Sequence, residues 1–339
     1  MAEAATRLRA GELCALPTET VYGLAVLPSH DAAVRKARAL KGRAVAHPFT
    51  WHVAKRDDLH DLVATVGPRI ERLVRRYWPG PLTLVLDGKD GHTIGVRHPA
   101  HAFTREVIAA CGEPLWLSSV NRTGEEPLVD AAAICAQFGD ELALVVDDGP
   151  SALGIASSVV LATGDKLEVL REGIVSRDEV LAAAADLIVF VCTGNTCRSP
   201  LAEALARDLT ARTIGCEPDD VLAHGYAFAS AGTGTMDGVP ASDGSLAAAQ
   251  ELGLDLTAHR SRAVGPALVE AATRIYCLGA SHRRALLAEF PQATDKVWML
   301  RQDGLDIRDP YGAELRVYRK VRDEIRAAIG ARLREWLPG

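Results

Sequence analysis

At 339 residues the chain is long for one domain and fits two of ordinary size. Apolar residues at 48% and charged residues at 24% are the proportions of a globular protein, and no apolar run is long enough to cross a membrane. The formal net charge of −6 argues against a general nucleic-acid coat. The start, Met1-Ala2-Glu3-Ala4, has an acid and then Arg7 and Arg9, with no apolar signal core behind them, so a cytoplasmic chain with no membrane partner is expected. The seven cysteines (Cys14, Cys111, Cys135, Cys192, Cys197, Cys216 and Cys277) are odd in number and scattered, which suits reduced thiols rather than a disulfide framework. No paired Cys or His spacing marks a zinc site, so no metal is expected.

Taken in order, residues 12–17 read as a short strand running into a polar loop at 18–24. Residues 31–40 read as a helix with Asp31 as its N-cap, stopped at Gly42. A strand is expected at 49–53. Ile70, Leu73, Val74 and Tyr77 fall at helical spacing, and Pro79-Gly80-Pro81 ends that helix. Strands follow at 82–86, 93–97, 115–119, 142–146, 157–161 and 166–170, and a helix capped by Ser176 spans 176–185. Many strands of uneven spacing with few helices predict a twisted mixed sheet. Cations and small hydroxyls gather near predicted strand ends: Lys41, Arg43, Arg97 and Arg171, with Thr18, Thr20, Ser118, Ser119 and Ser157. Ligands of α/β sheets sit at such ends, and guanidinium groups suit phosphate oxygens. No glycine-lysine phosphate loop is present. The residues alone therefore reach as far as a nucleotide-binding α/β domain.

The wording goes further. Pro17-Thr18-Glu19-Thr20-Val21-Tyr22-Gly23-Leu24, Lys41-Gly42-Arg43, Trp78-Pro79-Gly80-Pro81-Leu82-Thr83, Ser118-Ser119-Val120-Asn121 and Ser157-Ser158-Val159 occur in that order. Together they resemble the YrdC-like threonylcarbamoyl-AMP synthase family over residues 5–180. The resemblance implies that L-threonine, bicarbonate and ATP, with Mg²⁺ on the phosphates, give threonylcarbamoyl-adenylate and pyrophosphate. The adenylate would pass to tRNA-modification proteins. It also implies that Thr20, His52, Arg97, Ser119 and Ser157 hold threonine. Lys41, Arg43, His47, Thr93, Asn121 and Arg171 would hold ATP. His47 stands where the family more often has asparagine, and Val120 adds bulk where it often has alanine.

The second half begins with the apolar run 187–191, a buried strand by composition. It leads into Cys192-Thr193-Gly194-Asn195-Thr196-Cys197-Arg198-Ser199-Pro200, and then a helix to about Thr213. Pro200 suits a helix start. Strand, small-residue loop and helix together aim amides at one point with the helix dipole behind, which makes an anion site. Gly194 and Asn195 tolerate the left-handed angles such a loop needs. The amides, the dipole and Arg198 favour negative charge on the Cys192 sulfur, with Ser199 donating to it, and a thiolate is a nucleophile. Arg198 can clamp phosphoryl oxygens. An acid must protonate the leaving group, and Asp309 offers one, with Asp306 as runner-up. Cys197 either packs or pairs with Cys192 on oxidation. The other five cysteines are expected in the core. Strands at 227–231, 275–278 and 297–300, with helices at 240–252, from 281 and at 315–337, predict a small doubly wound parallel sheet.

Cys192 to Pro200, Ser230-Ala231-Gly232-Thr233, His259-Arg260-Ser261-Arg262 and Asp309-Pro310-Tyr311-Gly312 resemble the low-molecular-weight protein tyrosine phosphatase family over residues 187–335. The resemblance implies a phosphocysteine at Cys192, Asp309 as acid and then base, a phosphoprotein substrate and no cofactor. Thr196 stands where tyrosine-selective members commonly carry isoleucine or leucine. This loop is similar to that of the protein-arginine phosphatase branch, where the threonine helps position the attacking water. The expected division is 1–184 and 186–339, a bifunctional enzyme. The alternatives are a nucleotide- or RNA-binding first domain with a regulatory tyrosine phosphatase, or an arsenate reductase-like second domain using Cys277.

Overall fold

Short apolar strands, most of them buried, build the first sheet. They are β1 (Cys14–Leu16), β2 (Gly23–Val26), β3 (Thr50–His52), β4 (Leu82–Asp87), β5 (Thr93–Arg97), β6 (Leu115–Ser119), β7 (Leu144–Val145), β8 (Ser158–Thr163) and β9 (Lys166–Arg171). The computed structural model describes residues 1–42, 49–164 and 166–337. Among these the strands pair in the order β7-β1-β2-β6-β3-β5-β4-β8-β9. Pairing is mixed: β3–β5 and β4–β8 run parallel, whereas β2–β6, β3–β6 and β4–β5 run antiparallel. Along β8 buried and half-buried positions alternate, the period of a strand with one face on a core. The edge strand β9 is mostly exposed and carries charged residues, which discourages further pairing.

The helix at Asp31–Lys41 is present, but His30 occupies the N-cap position without a side-chain bond, and Asp31 is the first helical residue. An acid there still favours the positive end of the helix. Gly42 closes it at φ 60°, the left-handed cap that glycine takes without strain. Ser176 and Glu179 cap the helix Arg177–Ala184 reciprocally, the serine hydroxyl accepting the Glu179 amide and the carboxylate accepting the Ser176 amide. Five helices among the described residues went unread in the sequence: Leu59–Leu62, Pro266–Ala271, Ala2–Arg9, Ala102–Cys111 and Ala131–Phe138. The last had a legible signal. Ala131, Ile134 and Phe138 form a buried stripe at helical spacing, and Asp130 accepts the Ala133 amide at 2.8 Å. Val120 is fully buried among Tyr22, Leu24 and Phe138, so its extra bulk is accommodated.

The chain divides into two units, Met1–Ala184 and Ala185–Gly339. In the second, β10 (Asp186–Cys192), β11 (Tyr226–Gly232), β12 (Arg274–Cys277) and β13 (Val297–Met299) form a parallel sheet ordered β11-β10-β12-β13. β10 is apolar throughout its middle because both faces are covered. Ile188, Phe190 and Cys192 enter one core cluster, and Val189 and Val191 enter another. Helices occupy Arg198–Ile214, Asp243–Gln250, Pro266–Ala271, Ala280–Glu289 and Leu315–Arg332. The helix expected at 240–252 is shorter at both ends, and the tail helix gives way to a 3-10 turn at Leu333–Glu335. Pro200 lies third in its helix, not first, still within the turn where an amide has no intrahelical partner.

Phe190 is fully buried and stacks on Tyr276 at 6.0 Å between centroids. Phe190→Ala is therefore expected to destabilise the second unit by about 3–5 kcal/mol. Urea unfolding followed by a probe in that unit checks it.

Candidate active sites

The first unit encloses a cavity of about 440 Å³ on its sheet. Thr20, Lys41, His52, Thr93, Arg97, Ser119, Asn121, Ser157 and Arg171 all line it, bringing together nine expected residues separated by up to 151 positions. Arg43 and His47 lie outside the described residues. Strand register brings several of them close. Parallel β3 and β5 set His52 beside Arg97, and antiparallel β2 and β6 set Gly23 opposite Ser119.

Arg97 is 5% exposed, and three of its donors are engaged. Nε donates to the Gly80 carbonyl at 3.1 Å, Nη1 to Thr20 Oγ1 at 2.9 Å and Nη2 to Glu19 Oε1 at 2.6 Å. The direction of the next bonds follows. Thr18 Oγ1 donates to the Val21 carbonyl at 2.6 Å, so the 2.9 Å Thr18–Thr20 contact carries the Thr20 proton. Thr20 can then offer a ligand only a lone pair. Burial alone would raise the Glu19 carboxyl, but the Arg97 charge and hydrogen bond override it and hold it below the usual range. Burial, and then the Arg97 charge, push His52 down to about 3, so its ring is neutral at ordinary pH. Its Nδ1 donates to the Thr50 carbonyl at 3.0 Å, which leaves Nε2 with a lone pair.

Lys41 donates to the Ser119 carbonyl and, at 3.1 Å, to Asn121 Oδ1, which also accepts from Ser119 Oγ at 2.6 Å. Arg171 grips the Ser157 carbonyl through Nε at 3.1 Å and Nη2 at 2.8 Å. Thr83 Oγ1 lies 3.0 Å from Ser157 Oγ. Glu19 and Thr83 were assigned no role from sequence, because their partners stand 78 and 74 residues away.

In the second unit Cys192 ends β10 and is 2% exposed. The loop's carbonyls are turned to its surroundings. Cys192 O accepts from the Thr233 amide, Thr193 O from Gly234, Gly194 O from the Thr235 hydroxyl, Asn195 O from His259 and Thr196 O from Ser242. The amides of residues 193–197 donate to no protein acceptor among the described residues. Unmet amides at a helix N-terminus constitute an anion site. Gly232 permits the close approach of the neighbouring strand, since a Cβ there would lie 2.5 Å from the Thr193 carbonyl oxygen.

Asn195 adopts φ 51°, and Gly194 does not take a left-handed angle. The Asn195 side chain fixes the loop: Oδ1 accepts the Arg262 amide, and Nδ2 donates to Ser199 Oγ and Ser230 Oγ, each at 2.9 Å. Ser199 Oγ, which accepts from Asn195 Nδ2, lies 3.0 Å from Cys192 Sγ, and when the sulfur is a thiolate only the hydroxyl has a proton to give across that contact. Arg198, 7% exposed, donates through Nη2 to Asp309 Oδ2 at 2.6 Å, and its Nε is buried without a partner. Thr193 Oγ1 meets His282 Nε2 at 2.9 Å. Burial, and then Arg198, push His282 down to about 4.

Asp306 instead caps the helix at Ala280 through its amide, at 2.7 Å. Cys197 Sγ donates to Ser242 Oγ at 3.1 Å beside Tyr318, and both loop cysteines are free thiols. Thr196 Oγ1 lies 3.7 Å from Cys197 Sγ. Of the cysteines expected in the core, Cys14 and Cys277 are buried, Cys111 and Cys216 are half-buried, and Cys135 is exposed on an outward helix face. Ser230, His259 and Arg262 stand in the stretches that carried the family resemblance, but only the fold gives them their bonds to Asn195.

Comparison with known proteins agrees with this division. The Sua5/YciO/YrdC family model, described as "Telomere recombination", matches residues 6–173. The model "Low molecular weight phosphotyrosine protein phosphatase" matches residues 187–336. Threonylcarbamoyl-AMP synthase of Bacillus subtilis is 31% identical over 199 residues, 56% of this chain, and the chain spans only 58% of that relative's length. The protein-arginine-phosphatase of Geobacillus stearothermophilus is 36% identical over 147 residues, 42% of this chain and 90% of that relative. A solved structure of Sua5 from Pyrococcus abyssi has a TM-score of 0.51 at 23% identity, covering 68% of this chain and 86% of that one, a likeness of fold. The chain belongs to two families in series, the Sua5/YciO/YrdC family in its first unit and the low-molecular-weight phosphatase family in its second.

Proposed function

We propose that the chain is a bifunctional enzyme. Its first unit makes L-threonylcarbamoyladenylate from L-threonine, bicarbonate and ATP, and the product passes to tRNA-modification proteins. The observation that carries this reading is the convergence of nine expected residues on one cavity. The polarity of the pocket supports an amino acid. Arg97 retains two N–H groups for a carboxylate, while His52 Nε2 and Thr20 Oγ1 offer lone pairs to an ammonium or hydroxyl. Lys41, Arg171 and Thr93 supply charge and donors for the nucleotide, while Asn121, whose amide N–H groups are held by the Arg122 and Glu125 carbonyls, positions Lys41 through Oδ1; Arg43 and His47 are assigned by resemblance. The lining has no carboxylate, and no metal-binding cluster of three or more such groups occurs among the described residues, so Mg²⁺ is assigned to the nucleotide's phosphates. The threonine ammonium gives one proton to solvent, and the free amine nitrogen then forms a bond to the bicarbonate carbon with loss of water. The resulting carbamate oxygen attacks the α-phosphorus, and the bond to the β-phosphate oxygen breaks to release pyrophosphate. Positioning and charge neutralisation suffice for that step.

The second unit removes phosphoryl groups from proteins. Cys192 Sγ attacks phosphorus, the bond to the leaving nitrogen or oxygen breaks, and Asp309 protonates that atom. Water then attacks the phosphocysteine, giving a proton to Asp309, and the phosphorus–sulfur bond breaks to release inorganic phosphate and return the Cys192 thiolate. Support comes from the unmet amides of residues 193–197, from Arg198 Nε and from the Ser199 hydroxyl 3.0 Å from the sulfur, where it can donate to a thiolate. Thr196 is assigned the preference for phosphoarginine by the likeness of this loop to that of the protein-arginine phosphatase branch, a preference exercised when the phosphocysteine forms, and the same hydroxyl aligns the water that later attacks it. Cys277, fully buried with its thiol pushed up to about 12 by burial, is poorly suited to an arsenate-reducing relay.

Threonine-dependent pyrophosphate release from ATP tests the first reading, and ATP binding without release would contradict it. Cys192→Ser is expected to abolish phosphatase turnover by about 10⁴-fold or more and leave pyrophosphate release unchanged. Arg97→Ala should do the reverse, raising the threonine KM about a hundredfold. Thr196→Ile is expected to shift the ratio of kcat/KM for phosphoarginine over phosphotyrosine toward phosphotyrosine by about tenfold or more. A wild-type protein that cleaves phosphotyrosine readily and phosphoarginine not at all would overturn the preference.

A further inference from the structure

The proposed reaction leaves Glu19 idle. Its side chain is 14% exposed, Oε1 pairs with Arg97, and Oε2 has no hydrogen-bond partner. Arg97 lines the cavity and Glu19 does not, so the carboxylate meets the guanidinium from outside the lining. Arginine has five N–H donors. Glu19, Thr20 and Gly80 take one each, and two remain for a ligand. The pair is neutral as a whole. A ligand with both a carboxylate and an ammonium keeps it neutral, whereas a simple anion would leave net negative charge in a buried site, which is costly. The other cations of the lining, Lys41 and Arg171, are matched by nucleotide phosphates in the proposed reaction.

We infer that Glu19 is a specificity-determining counter-ion: by pairing with Arg97 behind the lining, it makes the amino-acid site select a zwitterion over a simple carboxylate. This deepens the synthase reading and rests on it. Glu19 contacts no substrate atom and acts through Arg97, holding the fork in place and cancelling its charge.

The test compares three ligands by calorimetry with an α,β-methylene ATP analogue bound, which neutralises Lys41 and Arg171 and cannot release pyrophosphate. The ligands are L-threonine, 3-hydroxybutyrate (threonine without its ammonium) and L-threoninamide (threonine without its carboxylate). In the wild-type chain threonine should bind tightest, with the lone anion favoured over the lone cation by less than about tenfold, because the site is balanced. Glu19→Gln should weaken threonine and strengthen 3-hydroxybutyrate, shifting their ratio by about tenfold or more, and Glu19→Asp should restore it. Equal weakening of both ligands in Glu19→Gln would mark a merely structural role and overturn the inference. So would a wild-type preference for the anion over the cation above about a hundredfold, a result that needs no variant to fold. A wild-type chain that binds the nucleotide analogue but no L-threonine overturns the synthase reading itself. One that binds L-threonine but fails the comparisons overturns the inference alone.

Discussion

Arg97 reaches its cavity with one N–H committed to Glu19, one to Thr20 and one to the Gly80 carbonyl. From that ion pair outward every proton has one direction. Arg97 donates to Thr20, Thr20 to Thr18, and Thr18 to the Val21 carbonyl. His52, neutral by burial, has its own proton on the Thr50 carbonyl. What remains for a ligand is a donor edge on the guanidinium and acceptors on the hydroxyl and the imidazole. The second unit uses the same device. Asn195 donates to Ser199, and the Ser199 proton is left for the Cys192 sulfur when that is a thiolate. In both candidate sites the polarity of the inward groups follows from a neighbouring side chain, Glu19 through Arg97 in the first and Asn195 through Ser199 in the second.

The sheets supply the frame for these chains. Parallel β10 lies between β11 and β12, covered on both faces, so its end is held from either side and Cys192 begins its loop from a fixed point. In the first unit the register of β3 with β5 sets His52 beside Arg97, while the β2–β6 pairing carries Ser119 to the cavity. A one-residue slip in either pairing would turn those side chains to the opposite face.

The sequence made strands and loops legible where chemistry is local. Cys192 to Pro200 announces a strand, an anion loop and a helix in ten residues or so. The apolar runs of β4, β6 and β10 stand out for the same reason. Long-range pairing was not legible. Nothing near Glu19 says that Arg97 is its partner, and nothing near Asn195 singles out Arg262 or His259. The helix at Ala2–Arg9 was passed over because alanine is apolar enough to pack yet too small to make an obvious stripe, whereas Ala131–Phe138 carried a readable cap and stripe in Asp130, Ile134 and Phe138. Of Gly194 and Asn195, both able to tolerate a left-handed angle, it is the asparagine that takes it, a choice composition does not settle.

Each of the two candidate sites draws its described residues from a single unit. The claim on which the account rests most heavily is that hydrogen-bond direction sets ligand polarity in the first cavity. A crystal structure with L-threonine and the unreactive ATP analogue measures it directly. The account predicts the carboxylate on the two remaining Arg97 N–H groups, the ammonium near His52 Nε2 and Thr20 Oγ1, and the Glu19–Arg97 pair intact. An amino acid bound with its ammonium toward Arg97, or a carboxylate that displaces Glu19, would contradict it.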